Sequence, residues 1–593
     1  MRTTLARPDV PRFDRRFFDG TERFTRIGSG SFGGKADTLL AVRDLLSSGI
    51  ERLLGPSGAQ RIRRHFDLHV PTLTVVATDC FEAFMDTNRL WDLARSGAPD
   101  YKIAVAFQQA DLPVDLLGDL FALVQQVHTP LAVRSSSLLE DALNQPFAGV
   151  YGTKMIPNNQ HDVESRFHRL VEAIKFVYAS TFFQNARQYR RLIGHDVEDR
   201  MAVILQAIVG RRHRDRFYPD LSGVGRSYSF YRSGRTRPED GVVNLAFGLG
   251  KTIVDGGLTW SYSPAQPQAT PPYGSVRDLL RQTQVEFWAV NMGRVPVYDP
   301  VEEVEYLAHL PVADAEEDQT LRLLVSTFDA RSDRLSMGVG IRGPRALTFA
   351  PLLVLEEYAL NDLLKAVLRV CQDALGSPVE IEFAATFPPE GEEGPASFGF
   401  LQVRPMAVSD AVVDLDLGSI DRSRVLAASR RVMGNGVVDN VRDVVYVRPE
   451  AFEARHTRAV AEEIARINLD LVDRGVPYLL IGFGRWGSSD PWLGIPVAWP
   501  QIGGARAIVE ATLPSMNVDL SQGSHFFHNI SSFGVSYFSV PFDGEFPVDW
   551  DGLARQEAVT ETGLVRHVRL AHPLRIAVDG RQGCGAVEWR ADG

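Results

Sequence analysis

The sequence predicts a multidomain protein of α/β to α+β build, on three observations. At 593 residues the chain exceeds the roughly 250–300 residues at which a single core stops growing. Its 45% hydrophobic and 23% charged content is that of globular domains rather than of a disordered chain. Short apolar, β-type runs also alternate along it with stretches of helical periodicity.

The elements follow in order. Residues 1–19 form an Arg-rich N-terminal extension. Gly28 to Gly34 is a glycine loop, and Ala36 to Leu46 reads as a helix closed near Gly49. Leu73 to Ala77 and Leu131 to Arg134 read as strands, the second leading into a polar loop. From Asp162 to Leu192, Phe167, Leu170, Val171, Ile174 and Val177 make the apolar stripe of one long helix. Met201 to Val209 and Tyr228 to Arg232 are strand candidates, whereas Thr259 to Leu347 shows no clear period. Leu360, Leu363, Leu364, Val367, Leu368 and Cys371 share a helix face that Gly376 stops. Val379 to Ala385 and Phe398 to Arg404 read as strands around the turn Pro388 to Pro395. Ser409 to Asp421 has little periodicity and marks a domain boundary. Beyond it, Arg458 to Arg474 reads as a helix, and Tyr478 to Gly482 as a strand entering a second glycine-rich loop.

Composition excludes several function classes. The 63 basic and 74 acidic residues leave a net charge of −11, which argues against non-specific nucleic-acid binding. Cys80, Cys371 and Cys584 are too few and too scattered for a disulfide framework or a paired-ligand zinc site. Met1 to Asp19 lacks the apolar stretch of a signal peptide, and no run of about 18 apolar residues occurs. A cytoplasmic protein without membrane attachment is expected.

Three segments carry chemistry. Gly28-Ser29-Gly30-Ser31-Phe32-Gly33-Gly34-Lys35 lets backbone N–H groups converge on an anion and ends in a point charge. It also suits a flexible turn before a helix, and it is not a Walker loop. Val133-Arg134-Ser135-Ser136-Ser137 with Glu140 and Asp141, then Phe147-Ala148-Gly149 and Thr153, brings a guanidinium fork into a hydroxyl-rich loop, either for a polyphosphate or as a salt-bridged strand end. Glu380-Ile381-Glu382-Phe383 and Leu401-Gln402-Val403-Arg404-Pro405 place Glu380 with Glu382, and Gln402 with Arg404, on single strand faces. If the strands are neighbours, a carboxylate and an amide oxygen can meet as hard ligands for Mg²⁺; an ordinary charged hairpin is the alternative.

In this order the segments resemble the nucleotide-binding domain of pyruvate, phosphate dikinase and phosphoenolpyruvate synthase, an ATP-grasp relative. The family's G-G-K, V-R-S-S…E-D…F-A-G…T, I-E-W/F and L-Q-x-R-P segments are matched at Gly33 to Lys35, Arg134 to Thr153, Glu382 with Phe383, and Leu401 to Pro405. Tyr189-Arg190, Ser222-Gly223-Val224 and Gly248-Leu249-Gly250 match its Y-R, S-G-V and G-L-G segments. The resemblance spans roughly residues 20–408. It implies an ATP-grasp-like two-lobed module, with lobes at residues 20–240 and 241–408, and ATP with Mg as cofactors. It also implies nucleotide binding by Gly33, Gly34, Lys35, Arg134, Ser135, Thr153, Gln206, Glu382, Gln402 and Arg404, with Glu382 and Gln402 on the metal. Arg134 and Arg404 would act on the phosphates, Arg404 on the transferring phosphoryl group. Two departures stand out: Lys251 replaces the family's acidic residue after G-L-G, and the region after Gly257 is enlarged.

After a linker at 409–425, residues 426–593 are expected to form a C-terminal α/β domain, with a swivelling phosphohistidine-like domain as one reading. About 185 residues follow Pro405, too few for the family's pyruvate barrel, which needs about 250. In the loop Gly482 to Pro491, Arg485 and Ser488 suit an anionic acceptor. His525, after Gly523-Ser524, loosely resembles the family's phosphohistidine segment, and a neutral imidazole at a turn is a competent nucleophile. Phe526 and Phe527 depart from the small residues expected there, so a structural or substrate-contacting histidine is the alternative. The expected function is an ATP- and Mg-dependent phosphotransferase of the dikinase type, acting on an unassigned small-molecule or protein acceptor. The rival is a non-catalytic ATP-binding sensor, and ATP-dependent ligation is a third reading. Homo-oligomerisation is left open.

Overall fold

The computed structural model describes residues 10–140, 149–192, 199–229, 236–269, 275–406, 408, 413–488, 490, 492–514, 530 and 533–590. It is a mixed α/β protein of several sheets. The first is five-stranded, in the order Phe24–Ile27, Leu73–Val76, Met201–Ala207, Leu131–Ser137, Thr153–Ile156. Its first pair is parallel and the others antiparallel. The inner strands are almost wholly buried because both faces of the sheet are covered. Helices including Thr78–Thr87, Asp100–Gln109 and Val163–Ser180 pack one face, while Ala36, Leu39 and Leu40 of helix Gly33–His65 contribute to the core on the other. Val10 and Phe13 of the N-terminal segment are buried as well.

The second sheet has six strands, in the order Trp260–Tyr262, Val242–Ala246, Leu221–Arg226, Val379–Thr386, Ala396–Pro405, Phe66–His69. Helices Gly33–His65 and Leu360–Leu375 share a core with one of its faces. The helix at Leu360–Leu375 is the one its apolar stripe predicts, and Gly376 ends it in the left-handed region at φ 67°.

Three local expectations change. The first helix does not close at Gly49: it runs to His65 with a break at Gly55 (φ 68°) and Pro56. Gly49 is instead a point of close approach, where a Cβ would lie 2.7 Å from Val370 Cγ1 of the neighbouring helix. The stripe from Asp162 belongs to two helices, Val163–Ser180 and Gln184–Leu192, and Asp162 caps the first by accepting from Ser165 N at 2.6 Å. The strand expected at Tyr228 to Arg232 lies earlier, at Leu221–Arg226, through the S-G-V turn, and residues 230–232 lie outside the described residues. The unparsed stretch 259–347 gives Trp260–Tyr262 to the six-stranded sheet and its other strands, of three to six residues, to two small sheets, too short to leave a periodic signal.

The C-terminal module is built on a nine-stranded mixed sheet. Gly436–Val447, Tyr478–Phe483, Ala505–Ala511 and Ser536–Val540 run parallel in sequence order, and Val565–Asp579 pairs antiparallel with the first. Leu415 and Leu417 are buried with Val425, Phe546 and Cys584, so part of the stretch read as a linker packs into this module. No helix among the described residues is long and apolar enough to cross a membrane.

Candidate functional site

A cavity of about 520 Å³ opens between the five-stranded and six-stranded sheets. Strand alternation builds its centre. Glu382 stands opposite both Gln402 and Val224 in register, so carboxylate and amide emerge on one face of the six-stranded sheet. Arg134 reaches them from the other sheet. Its Nη2 donates to Gln402 Oε1 at 2.6 Å and to Glu382 Oε2 at 3.3 Å, and its Nη1 to Gln206 Oε1 at 3.1 Å and the Leu401 carbonyl at 3.2 Å. One guanidinium thus joins four groups across the two sheets, a task for a planar fork and not for a point charge. Gln206 is 2% exposed and lines the cavity, and its Nε2 has no hydrogen-bond partner among the described residues. A buried orphan donor beside a cavity marks a place for a ligand acceptor.

Lys35 also lines the cavity, and its Nζ lies 2.7 Å from Glu140 Oε1 and 3.2 Å from Ser135 Oγ. Glu140 further accepts from Ser135 Oγ and Ser137 N. In the glycine loop, the N–H groups ahead of Gly33 and Gly34 are satisfied by the protein itself. Ser29 N and Gly30 N donate to the Asp79 carboxylate at 2.8 and 3.0 Å, and Ser31 N donates to Thr78 Oγ1. Gly33 is required by packing: with φ 77°, a Cβ would lie 1.9 Å from the Ser136 carbonyl oxygen. Asp79 therefore occupies the anion position of this loop. Burial raises its carboxyl pKa, but the bonds from Ser29 and Gly30 outweigh that and hold it below the ordinary value.

Several lining residues escaped the sequence reading. Thr153 lines the cavity as expected, but its N–H donates to Glu303 Oε1 at 2.8 Å, and Glu303 comes from the poorly periodic region. Glu303 is open to the cavity yet surrounded by protein, so desolvation raises its pKa against the pull of Lys251. Lys251, the departure noted after G-L-G, lines the same cavity in a 3.0 Å ion pair with Asp255. Tyr151 donates to Asp199 Oδ2 at 2.5 Å, and burial and that carboxylate raise the tyrosine's pKa well above its ordinary value. The C-terminal module supplies a third wall through Gly487 and Pro496 to Pro500.

Arg404 does not line the cavity. It is 1% exposed and paired with Glu380, which stands opposite it in register and also receives Arg226 Nε at 2.6 Å. Arg485, expected to face an acceptor, is likewise buried, and its Nη1 donates to the Gly256 and Gly257 carbonyls at 3.1 and 3.5 Å. Ser488 is buried and exchanges hydrogen bonds with Asp490. His525 lies outside the described residues.

The donor set fits the metal of a nucleotide and not a metal cage of the protein's own. Glu382 and Gln402 offer one carboxylate and one amide oxygen at a single point, which suits Mg²⁺ completed by phosphate oxygens and water. Among the described residues there is no group of three or more His, Cys, Asp or Glu that could hold an ion.

Comparison with known proteins bears on the same residues. Residues 30–416 match the family described as pyruvate phosphate dikinase, AMP/ATP-binding domain. Among curated proteins, the uncharacterized phosphotransferase YvkC of Bacillus subtilis (strain 168) is 24% identical over 212 residues, covering 35% of this chain. The chain spans 23% of that relative's length.

Proposed function

Because this chain belongs to the family of the pyruvate phosphate dikinase AMP/ATP-binding domain, we propose that it is an ATP- and Mg-dependent phosphotransferase of the dikinase type. The observation that carries the reading is the Arg134 junction, where Gln206, Glu382 and Gln402 converge from two sheets on one guanidinium beside the cavity. A triphosphate there meets Arg134 and Lys35. A unit charge pair about 4 Å apart near a protein surface, at an effective dielectric of about 20, is worth about 4 kcal/mol, enough for each cation to matter. The module is read as ATP-grasp-like, with the nucleotide clasped between the five-stranded and six-stranded sheets; the second of these takes Phe66–His69 and Leu221–Arg226, so the two walls do not divide at residue 240.

The protein's part in the chemistry is positioning and charge. Glu382 and Gln402 would hold Mg²⁺, which when bound would offset phosphate charge. To bind phosphate, Arg134 exchanges its bonds with Gln402 and Glu382 for phosphate oxygens, and Lys35 exchanges Glu140 in the same way. Gln206 Nε2 supplies a donor that has no partner among the described residues. Walls from both sheets and from the C-terminal module exclude water that would otherwise compete as acceptor. The acceptor is a small molecule or a protein group, His525 being the candidate within the chain, and the protein is placed in the cytoplasm.

Incubation with β- and γ-labelled ATP tests this. Transfer of label to the protein, to water or to a component of cell extract is expected, and no transfer to any of them would contradict it. The cavity position of Lys251, where the family carries an acid, favours a second reading, an ATP sensor without turnover. That reading predicts tight binding and no AMP or ADP.

A further inference from the structure

A second cavity, of about 600 Å³, shares a wall with the first. Ala207, Ile208 and Val209, at and just past the end of strand Met201–Ala207, line both. The rest of its lining comes from both sheets. Arg23 directly precedes strand Phe24–Ile27, His69 ends Phe66–His69, and the turn Pro388 to Pro395 joins Val379–Thr386 to Ala396–Pro405. Arg211, just past the shared wall, opens strand Arg211–His213. The volume is that of a small-molecule site, for which about 300–1,000 Å³ is usual.

Charges of both signs stand open around this cavity. Arg23, Glu392 and Glu393 line it and are exposed, and their side chains make no hydrogen bond or ion pair among the described residues. Arg211 is half-buried; its Nη2 donates to the Phe387 carbonyl at 2.6 Å, which fixes the guanidinium and leaves its other nitrogens without a partner among the described residues. Asp220, which accepts from Phe387 N at 2.7 Å, is the acid that pulls on Arg211. Burial pushes its carboxyl up to about 7, against that bond and that pull, so it is an incomplete counter-charge at neutral pH. His69 is held through Nδ1 by the Asp67 carbonyl at 3.1 Å. Thr386 lines the cavity at 8% exposure, and its Oγ1 has no partner among the described residues. An orphaned hydroxyl at a cavity wall calls for an explanation, and a ligand is one.

A lone anion in this cavity would meet Glu392 and Glu393, and a lone cation would meet Arg23 and Arg211. A ligand of one sign therefore gains at one group and loses at the other. Ion pairing between the two sets, which is worth little at an exposed site, does not close the cavity. We propose that it binds a small zwitterion, an α-amino acid or a short peptide, whose carboxylate takes the two arginines and whose ammonium takes the two glutamates. The guanidinium fork matches a carboxylate through parallel N–H bonds. The prolines of the turn offer the ligand's side chain a rigid apolar surface. The site lies across the shared wall from the nucleotide cavity and holds its ligand whether or not ATP is bound.

Calorimetric titration of the full chain with the common amino acids and with dipeptides tests this, beside acetate and inorganic phosphate as anions alone and putrescine as a cation alone. At least one zwitterion is expected to bind more tightly than all three single-sign probes, and whether amino acids or dipeptides bind better identifies which of them the cavity spans. Arg211→Met, and Glu392→Gln combined with Glu393→Gln, are each expected to weaken that binding about tenfold. If Arg211→Met does not fold, Arg23→Met, at an exposed position, carries the comparison. Arg134→Met, in the nucleotide cavity, should leave it unchanged. No zwitterion bound, a single-sign probe bound as tightly, indifference to both sets of changes, or loss in Arg134→Met would each overturn the proposal.

Discussion

Asp79 shows how a single residue redirects a motif. The glycine loop has the composition of an anion cradle, yet its Ser29 and Gly30 N–H groups are taken by a carboxylate 49 to 50 positions away. Nothing local to the loop announces that partner, so the sequence leaves an anion cradle and a flexible turn as alternatives. Because the carboxyl's pKa in the fold is depressed, its stabilising effect is complete above the unfolded value of about 3.9 and is lost as pH falls through the folded value. Asp79→Asn is therefore expected to lower the thermal midpoint at pH 7. The gap to wild type should narrow below about pH 4. A gap that stays constant down to pH 2.5 in thermal melts would show that the charge is not what matters. Arg134, Glu382 and Gln402 were legible for the opposite reason: strand alternation alone puts a carboxylate and an amide on one face once the two strands pair.

At the scale of elements, Gly49 separates two meanings of glycine. Inside helix Gly33–His65 it costs about 1 kcal/mol of helix propensity relative to Ala, so Gly49→Ala would stabilise an isolated helix. In the fold a Cβ there lies 2.7 Å from Val370 Cγ1 and 2.8 Å from Cγ2, and overpacking of this kind costs about 1–3 kcal/mol. The packing term wins: Gly49→Ala is expected to destabilise slightly and Gly49→Val clearly, by denaturant melts, and Gly49→Ala combined with Val370→Ala should recover the loss. A single Gly49→Ala that raises stability would mean the helices do not approach this closely. A sequence shows the missing side chain and not the neighbour that forbids it. The helix Leu360–Leu375 was readable because its apolar stripe and its Gly376 stop are both local. The lining residue Glu303 was not, since it comes from an irregular segment whose placement is set by tertiary contacts, whereas Lys251 was marked by its place after G-L-G.

For the whole molecule, the C-terminal module is part of the cavity and not an appendage. The rings of Trp499 and Phe533 stack at 5.3 Å with 9° between planes, and Phe533 meets Tyr189 of helix Gln184–Leu192 at 5.8 Å. Truncating a buried Trp to Ala costs about 3–5 kcal/mol, more than a polar contact between modules supplies. Trp499→Ala is therefore expected to raise amide exchange in helix Gln184–Leu192 and to speed release of a fluorescent ATP analogue, while the central strands of the C-terminal sheet stay protected. Unchanged exchange in that helix would mean the stack does not hold the module in place. Motif order brought the cavity's central residues together in the reading of the sequence, whereas this third wall depends on contacts between distant parts of the chain, Tyr189 with Phe533 among them. The central claim is that the Arg134 junction receives the triphosphate, and Mg–ATP binding by calorimetry to wild type, Arg134→Lys and Arg134→Met tests it most directly. The account predicts binding that needs Mg²⁺, falls about 10²–10³-fold in Arg134→Met as for loss of a strong charge-assisted contact, and is poorly restored by Lys, which lacks the fork. Undiminished binding in Arg134→Met, with the variant folded, would contradict it.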